Sequence, residues 1–113
     1  MKKLTINHEI SIAQEEYRLY EQSKDTVYLG QVAEKIYVIY IHLLEYLTNQ
    51  TIKTHDEVRA LGKYLGSNDF IMKNLYYDTD ILHVYHYNRR LDIERIEQKV
   101  KQSFKNILFK TSW

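Results

Sequence analysis

The chain contains no cysteine and no proline, and only three glycines, Gly30, Gly62 and Gly66. Without cysteine there is no disulfide, no thiolate metal site and no cysteine nucleophile, and an intracellular protein is the natural expectation. With so little proline and glycine, the 113 residues have few places to break a helix, so long helices joined by short turns are expected. No apolar run approaches the roughly 18 residues of a spanning helix, and the start, MKKLTINHEI, lacks the continuous apolar stretch of a signal peptide. The expectation is a single soluble, cytoplasmic domain over residues 1–113, long enough to bury a core and without a membrane partner. Nor does one sign of charge dominate, since the net charge is +1. Its distribution is uneven: residues 1–50 carry five Lys and Arg against seven Asp and Glu, residues 51–88 four against five, and residues 89–113 seven against three. A basic C-terminal end suits an anionic ligand or, more commonly, a solvated helix face.

What is present is organised around Val32–Leu47, VAEKIYVIYIHLLEYL. At 100° per residue Val32, Ile36, Ile39, Tyr40, Leu43 and Leu47 share one face, and Tyr37, Ile41 and Leu44 widen it. The narrow polar stripe that remains carries Glu34, Lys35, His42 and Glu45. Strict alternation fails at Leu43-Leu44 and the run is too long for an ordinary strand, so it is a helix, apolar enough to be buried on two sides.

Residues 1–9 are expected to be a frayed lead-in. A first helix follows from about Ile10, with Ile10, Ala13, Tyr17 and Tyr20 inward. Asp25 or Thr26 caps the second helix, which ends near Asn49 and forms an antiparallel hairpin with the first. Thr54-His55-Asp56-Glu57 has capping-box spacing and starts a third helix, with Val58, Leu61 and Leu65 inward and a stop near Gly66. Phe70–Tyr87 follows, with Phe70, Ile71, Leu75, Leu82 and Tyr85 as core residues and a break near Asp78-Thr79-Asp80. Asp92 caps a last helix with Ile93, Ile96, Val100, Phe104, Ile107 and Leu108 on one arc. The expected fold is all-α, a four- to five-helix up-and-down bundle.

Chemistry-capable side chains are densest in Asp80–Arg90, DILHVYHYNRR. On a helix Asp80, His83 and His86 fall at i, i+3 and i+6, a set that offers two imidazoles and a carboxylate to a metal such as zinc. A different use of the segment turns His83, Tyr85, Tyr87, Arg89 and Arg90 toward a groove, where aromatic and guanidinium groups stack on bases and meet phosphates. The plainer alternative is two tyrosines packed with their hydroxyls at water beside a basic turn at a helix end. His42 can meet the Asp80–His86 segment across the bundle, or belong to a solvent stripe or a satisfied polar seam. No phosphate-binding glycine loop or dinucleotide fingerprint is present, and no cofactor is expected.

AEKIYVIYIHLLEYL on the second helix, His55 near the start of the third and Leu82-His83-Val84-Tyr85-His86-Tyr87 together resemble archaeal PaREP-type proteins of the HEPN superfamily (higher eukaryotes and prokaryotes nucleotide-binding) over Ile10–Leu108. The resemblance implies a helical bundle, commonly a homodimer, that acts as a binding module for nucleotide or RNA or for a partner nucleotidyltransferase. Catalytic members of that superfamily are metal-independent ribonucleases with an Arg followed by four to six residues and then a His. Here no Arg among 18, 59, 89, 90 and 95 stands at that spacing before a His among 8, 42, 55, 83 and 86. The balance therefore falls toward binding rather than catalysis. His83, with Tyr87 beside it, carries over as a groove residue. The alternative is an enzyme centred on His83, either a divergent ribonuclease with His83 as general acid/base or a hydrolase using a metal on Asp80, His83 and His86.

Overall fold

The computed structural model describes residues 2–88 and 92–112, and these form five helices and no strand: α1 (Lys2–Ser23), α2 (Thr26–Thr48), α3 (His55–Gly66), α4 (Phe70–Tyr87) and α5 (Ile93–Thr111). Polar pairs fix their directions. Seven residues forward on α1, from Glu9 to Glu16, is seven back on α2, from His42 to Lys35, so these helices are antiparallel. His83 and His86 of α4 meet Glu34 and Gly30 of α2 in the same reversed order, and Lys99 and Lys110 of α5 meet Asp78 and Asp69 of α4 likewise. Tyr20 and Tyr17 of α1 meet Glu97 and Phe104 of α5, which closes the ring. The long helices are therefore an up-down-up-down bundle, with the short α3 laid into the crossover from α2 to α4.

The four helices after α1 begin where the sequence offers an acceptor. Asp25, Thr54, Asp69 and Asp92 each take a backbone N–H of the first turn. Glu57 completes the start of α3 by accepting from the backbone N–H of Lys53, one residue ahead of the cap. Asn49 ends α2 in the left-handed region, φ 56°, which asparagine tolerates. The core is the expected face of α2, where Val32, Ile36, Ile39, Tyr40, Leu43 and Leu44 are all buried, facing Ile10, Ala13 and Tyr20, Leu75 and Leu82, and Ile96 and Val100.

Several expectations are corrected. The first helix reaches back to Lys2, and Ile6, fully buried, belongs to the core as the next inward position before Ile10. α4 does not break at Asp78-Thr79-Asp80. Buried Asp78 turns to Lys99 Nζ at 3.0 Å instead of capping a new helix, and the Thr79 hydroxyl donates to the Leu75 carbonyl at 2.6 Å. Phe70 is 76% exposed, because it stands two residues, about 200°, around the helix from the buried Met72. Leu47, in the last turn of α2, and Leu108, on the flank of the α5 stripe, are both partly exposed. The polar stripe of α2 is an interhelical seam rather than a solvent face. Glu34 meets His83, Lys35 meets Glu16, His42 meets Glu9 at 2.7 Å, and Glu45 accepts from the Ile52 N–H at 2.9 Å. His42 thus pairs with α1, and it is Glu34 that reaches His83 of α4.

Asp69 joins two of these features. Its Oδ1 accepts from the Ile71 and Met72 N–H groups at 3.0 and 3.2 Å, and its Oδ2 pairs with Lys110. Burial alone pushes the Asp69 carboxyl up, but the Lys110 ammonium and the two backbone donors outweigh it and hold the group below the usual carboxylate range. A carboxyl depressed in the folded state contributes stability that is present above its unfolded pKa of about 3.9 and is lost as pH falls through the folded value. Thermal melts of Asp69→Asn, which keeps a capping oxygen, are expected to lose less stability between neutral pH and about pH 3 than the parent does. Parallel acid dependence in the two proteins would remove Asp69 as a contributor.

Candidate functional site

The crossover places the site. The segment between α2 and α3 folds back along α2, tied by Glu45 to the Ile52 N–H, so that α3 starts beside the middle of α2 rather than at its end. His55, the first residue of α3, therefore lies over Tyr37, and its Nδ1 is 3.0 Å from the Tyr37 hydroxyl. From α4, His83 stacks on Tyr37 with ring centroids 4.0 Å apart and planes 20° apart. The His55 and His83 rings are 5.1 Å apart, and Tyr87 stands edge-on to both His83, at 5.2 Å, and His86, at 4.8 Å. Tyr37 is buried, His83 half-buried and Tyr87 74% exposed, so the cluster grades from core to surface.

Burial, reinforced by the nearby Asp80 charge, pushes the Tyr37 hydroxyl up, so Tyr37 stays protonated, and its hydroxyl donates to or accepts from His55 Nδ1 according to the His55 tautomer. Where Tyr37 donates, a neutral His55 carries its proton on Nε2. His83 faces the Glu34 carboxylate through Nδ1 at 3.2 Å, and since the carboxylate only accepts, the neutral His83 carries its proton on Nδ1 and leaves Nε2 as an acceptor. With Tyr37 as donor, one ring presents an acceptor nitrogen and its neighbour an N–H.

Of the residues expected here, His83 and Tyr87 share one surface. Tyr85 does not: it is fully buried, two positions and about 200° away from each of them on the helix. Arg89 and Arg90 lie outside the described residues. His83 Nδ1 faces Glu34 and His86 Nδ1 donates to the Gly30 carbonyl at 3.0 Å, and Asp80 does not join them in a metal-holding group. Among the described residues no group of three or more His, Asp or Glu is placed to hold a metal ion. The sequence reading missed Tyr37 and Glu34 as site residues. The available signal was their i, i+3 spacing on the edge between the apolar face and the polar stripe of α2.

Compared with protein-family models, with curated proteins and with solved structures, the chain matches none. Among the described residues no helix is long and apolar enough to cross a membrane.

Proposed function

We propose that the chain is a HEPN-like binding module for nucleotide or single-stranded RNA, with Tyr87 as the stacking platform, His83 and His86 beside it, and His55 next to His83. The observation that supports this is an exposed aromatic ring held edge-on by two imidazoles, two residues ahead of Arg89-Arg90 in the sequence. Base stacking on such a ring is worth about 1–3 kcal/mol, and the guanidinium pair supplies a phosphate contact. Because Tyr87 is exposed, Tyr87→Ala is expected to leave the melting temperature nearly unchanged while weakening binding of a labelled single-stranded RNA about tenfold or more. Replacing both Arg89 and Arg90 by alanine is expected to weaken binding and flatten its salt dependence. Fluorescence anisotropy at two salt concentrations checks both, and RNA retention indifferent to all three substitutions would end this reading. A homodimer and a nucleotidyltransferase partner belong to the same proposal through the HEPN resemblance.

The two imidazoles of His83 and His55, 5.1 Å apart, favour a second reading, a divergent metal-independent ribonuclease with His83 as general base and His55 as general acid. A cleavage assay with His83→Ala and His55→Ala separates the two. Loss of cleavage in either variant establishes the enzyme, and binding without cleavage leaves the module.

A further inference from the structure

On the other side of Glu34 from His83 lies a cavity of about 400 Å³ between α1, α2 and α4. It is lined by the apolar Ile12, Val38 and Ile39 and by a polar mouth of Glu9, Gln31, Glu34, Lys35 and His86. The volume is that of a small-molecule site rather than a packing defect. The charged groups of the mouth are two carboxylates and one ammonium, with His86 Nδ1 engaged on the Gly30 carbonyl. Lys35 is paired with Glu16, whereas each of the two carboxylates spends a single oxygen on an imidazole: Glu9 Oε1 on His42 and Glu34 Oε2 on His83. Where those imidazoles are neutral, the mouth holds two negative charges with acceptor capacity to spare. A third acceptor continues the line along the hairpin: Glu16 Oε1 is buried and has no hydrogen-bond partner among the described residues. Apolar walls call for an apolar body, and carboxylates with unused oxygens call for a cationic N–H donor.

We propose that this cavity binds a small organic cation with an apolar body, of the arylalkylamine class, its ring between Ile12, Val38 and Ile39 and its ammonium between Glu9 and Glu34. The site is independent of the nucleotide reading, but through Glu34 it touches the same histidine: an ammonium on Glu34 competes with His83 for the carboxylate.

The probes are phenethylamine, the neutral isostere phenethyl alcohol and the anion phenylacetate, followed by NMR at about pH 8, where an unperturbed histidine is neutral. Phenethylamine is expected to shift the resonances of Ile12, Val38 and Ile39 and of the His83 ring, and to bind at least tenfold more tightly than the alcohol, with no binding of phenylacetate. The Glu9→Gln, Glu34→Gln double variant is expected to bring the amine down to the affinity of the alcohol, and Val38→Trp to abolish binding of both while the helical circular dichroism is retained. If either variant fails to fold, the comparison of the three probes on the parent protein still decides. Equal binding of amine and alcohol, shifts confined to other residues, or no binding of the amine at millimolar concentration would each overturn the proposal.

Discussion

Gly62→Ala is expected to destabilise the protein, reversing the usual sign of this exchange in a helix. Alanine within a helix normally gains about 1 kcal/mol over glycine. Here a Cβ on Gly62 meets the Tyr40 hydroxyl oxygen at 2.5 Å and Tyr76 Cδ1 at 2.6 Å. Tyr40 is buried in α2 and cannot swing to solvent, so the overpacking costs about 1–3 kcal/mol and outweighs the propensity. The clash names its own remedy. The Tyr40 hydroxyl is buried and has no hydrogen-bond partner among the described residues, and burial pushes its pKa up. Tyr40→Phe is therefore expected to raise stability by about 1 kcal/mol, because the unsatisfied group is removed together with its desolvation cost. In the double variant Tyr40→Phe, Gly62→Ala the cost of the alanine is expected to fall, leaving only the contact with Tyr76. Urea denaturation of all four proteins measures the coupling. Additive effects, or a Gly62→Ala protein as stable as the parent, would show that α2 and α3 separate freely at this point.

Asp78→Ala is expected to be at least as damaging, by about 3 kcal/mol. Asp78 is buried in the middle of α4 with Lys99 Nζ at 3.0 Å, and Lys99 is itself three-quarters covered. Removing one partner of such a pair leaves the other charge poorly solvated, which costs about 3–5 kcal/mol when the pair is fully buried and somewhat less here. The pair itself contributes little net free energy, because its attraction is offset by the desolvation of both ions. Asp78→Leu with Lys99→Met, similar in volume and apolar throughout, is consequently expected to lie within about 1 kcal/mol of the parent. A double variant as unstable as the single one would indicate that the ionic geometry, and not the avoidance of an unpaired charge, holds α4 against α5.

The same pair shows why α4 misleads at the level of sequence. Asp-Thr-Asp is a common helix start, because short polar side chains compete for backbone N–H groups. Nothing local indicates that the first of these acids has a lysine waiting twenty-one residues ahead, so a break was the better local reading and the tertiary partner overrode it. Phe70 and Ile6 were misplaced for a related reason. Each lies at the edge of an amphipathic pattern, where periodicity is weakest, and only the neighbouring helix decides whether an end position is covered. His83 and Tyr87 were found from composition and spacing. The contact of Tyr37 with His55 has no such signal, since they lie eighteen residues apart in the chain and meet only because the crossover folds back along α2.

By itself the sequence determined the class of fold, the caps Thr54 and Asp92, the ends of α2 and α3 and the buried face of α2, because caps and periodicity act within one or two turns of helix. Which residues of different helices meet was decided by the tertiary structure alone: Glu34 with His83, Tyr37 with His55, Asp78 with Lys99, and the cavity beside Ile12. Those meetings depend on the register and direction of helices distant in the chain, and no local propensity encodes them.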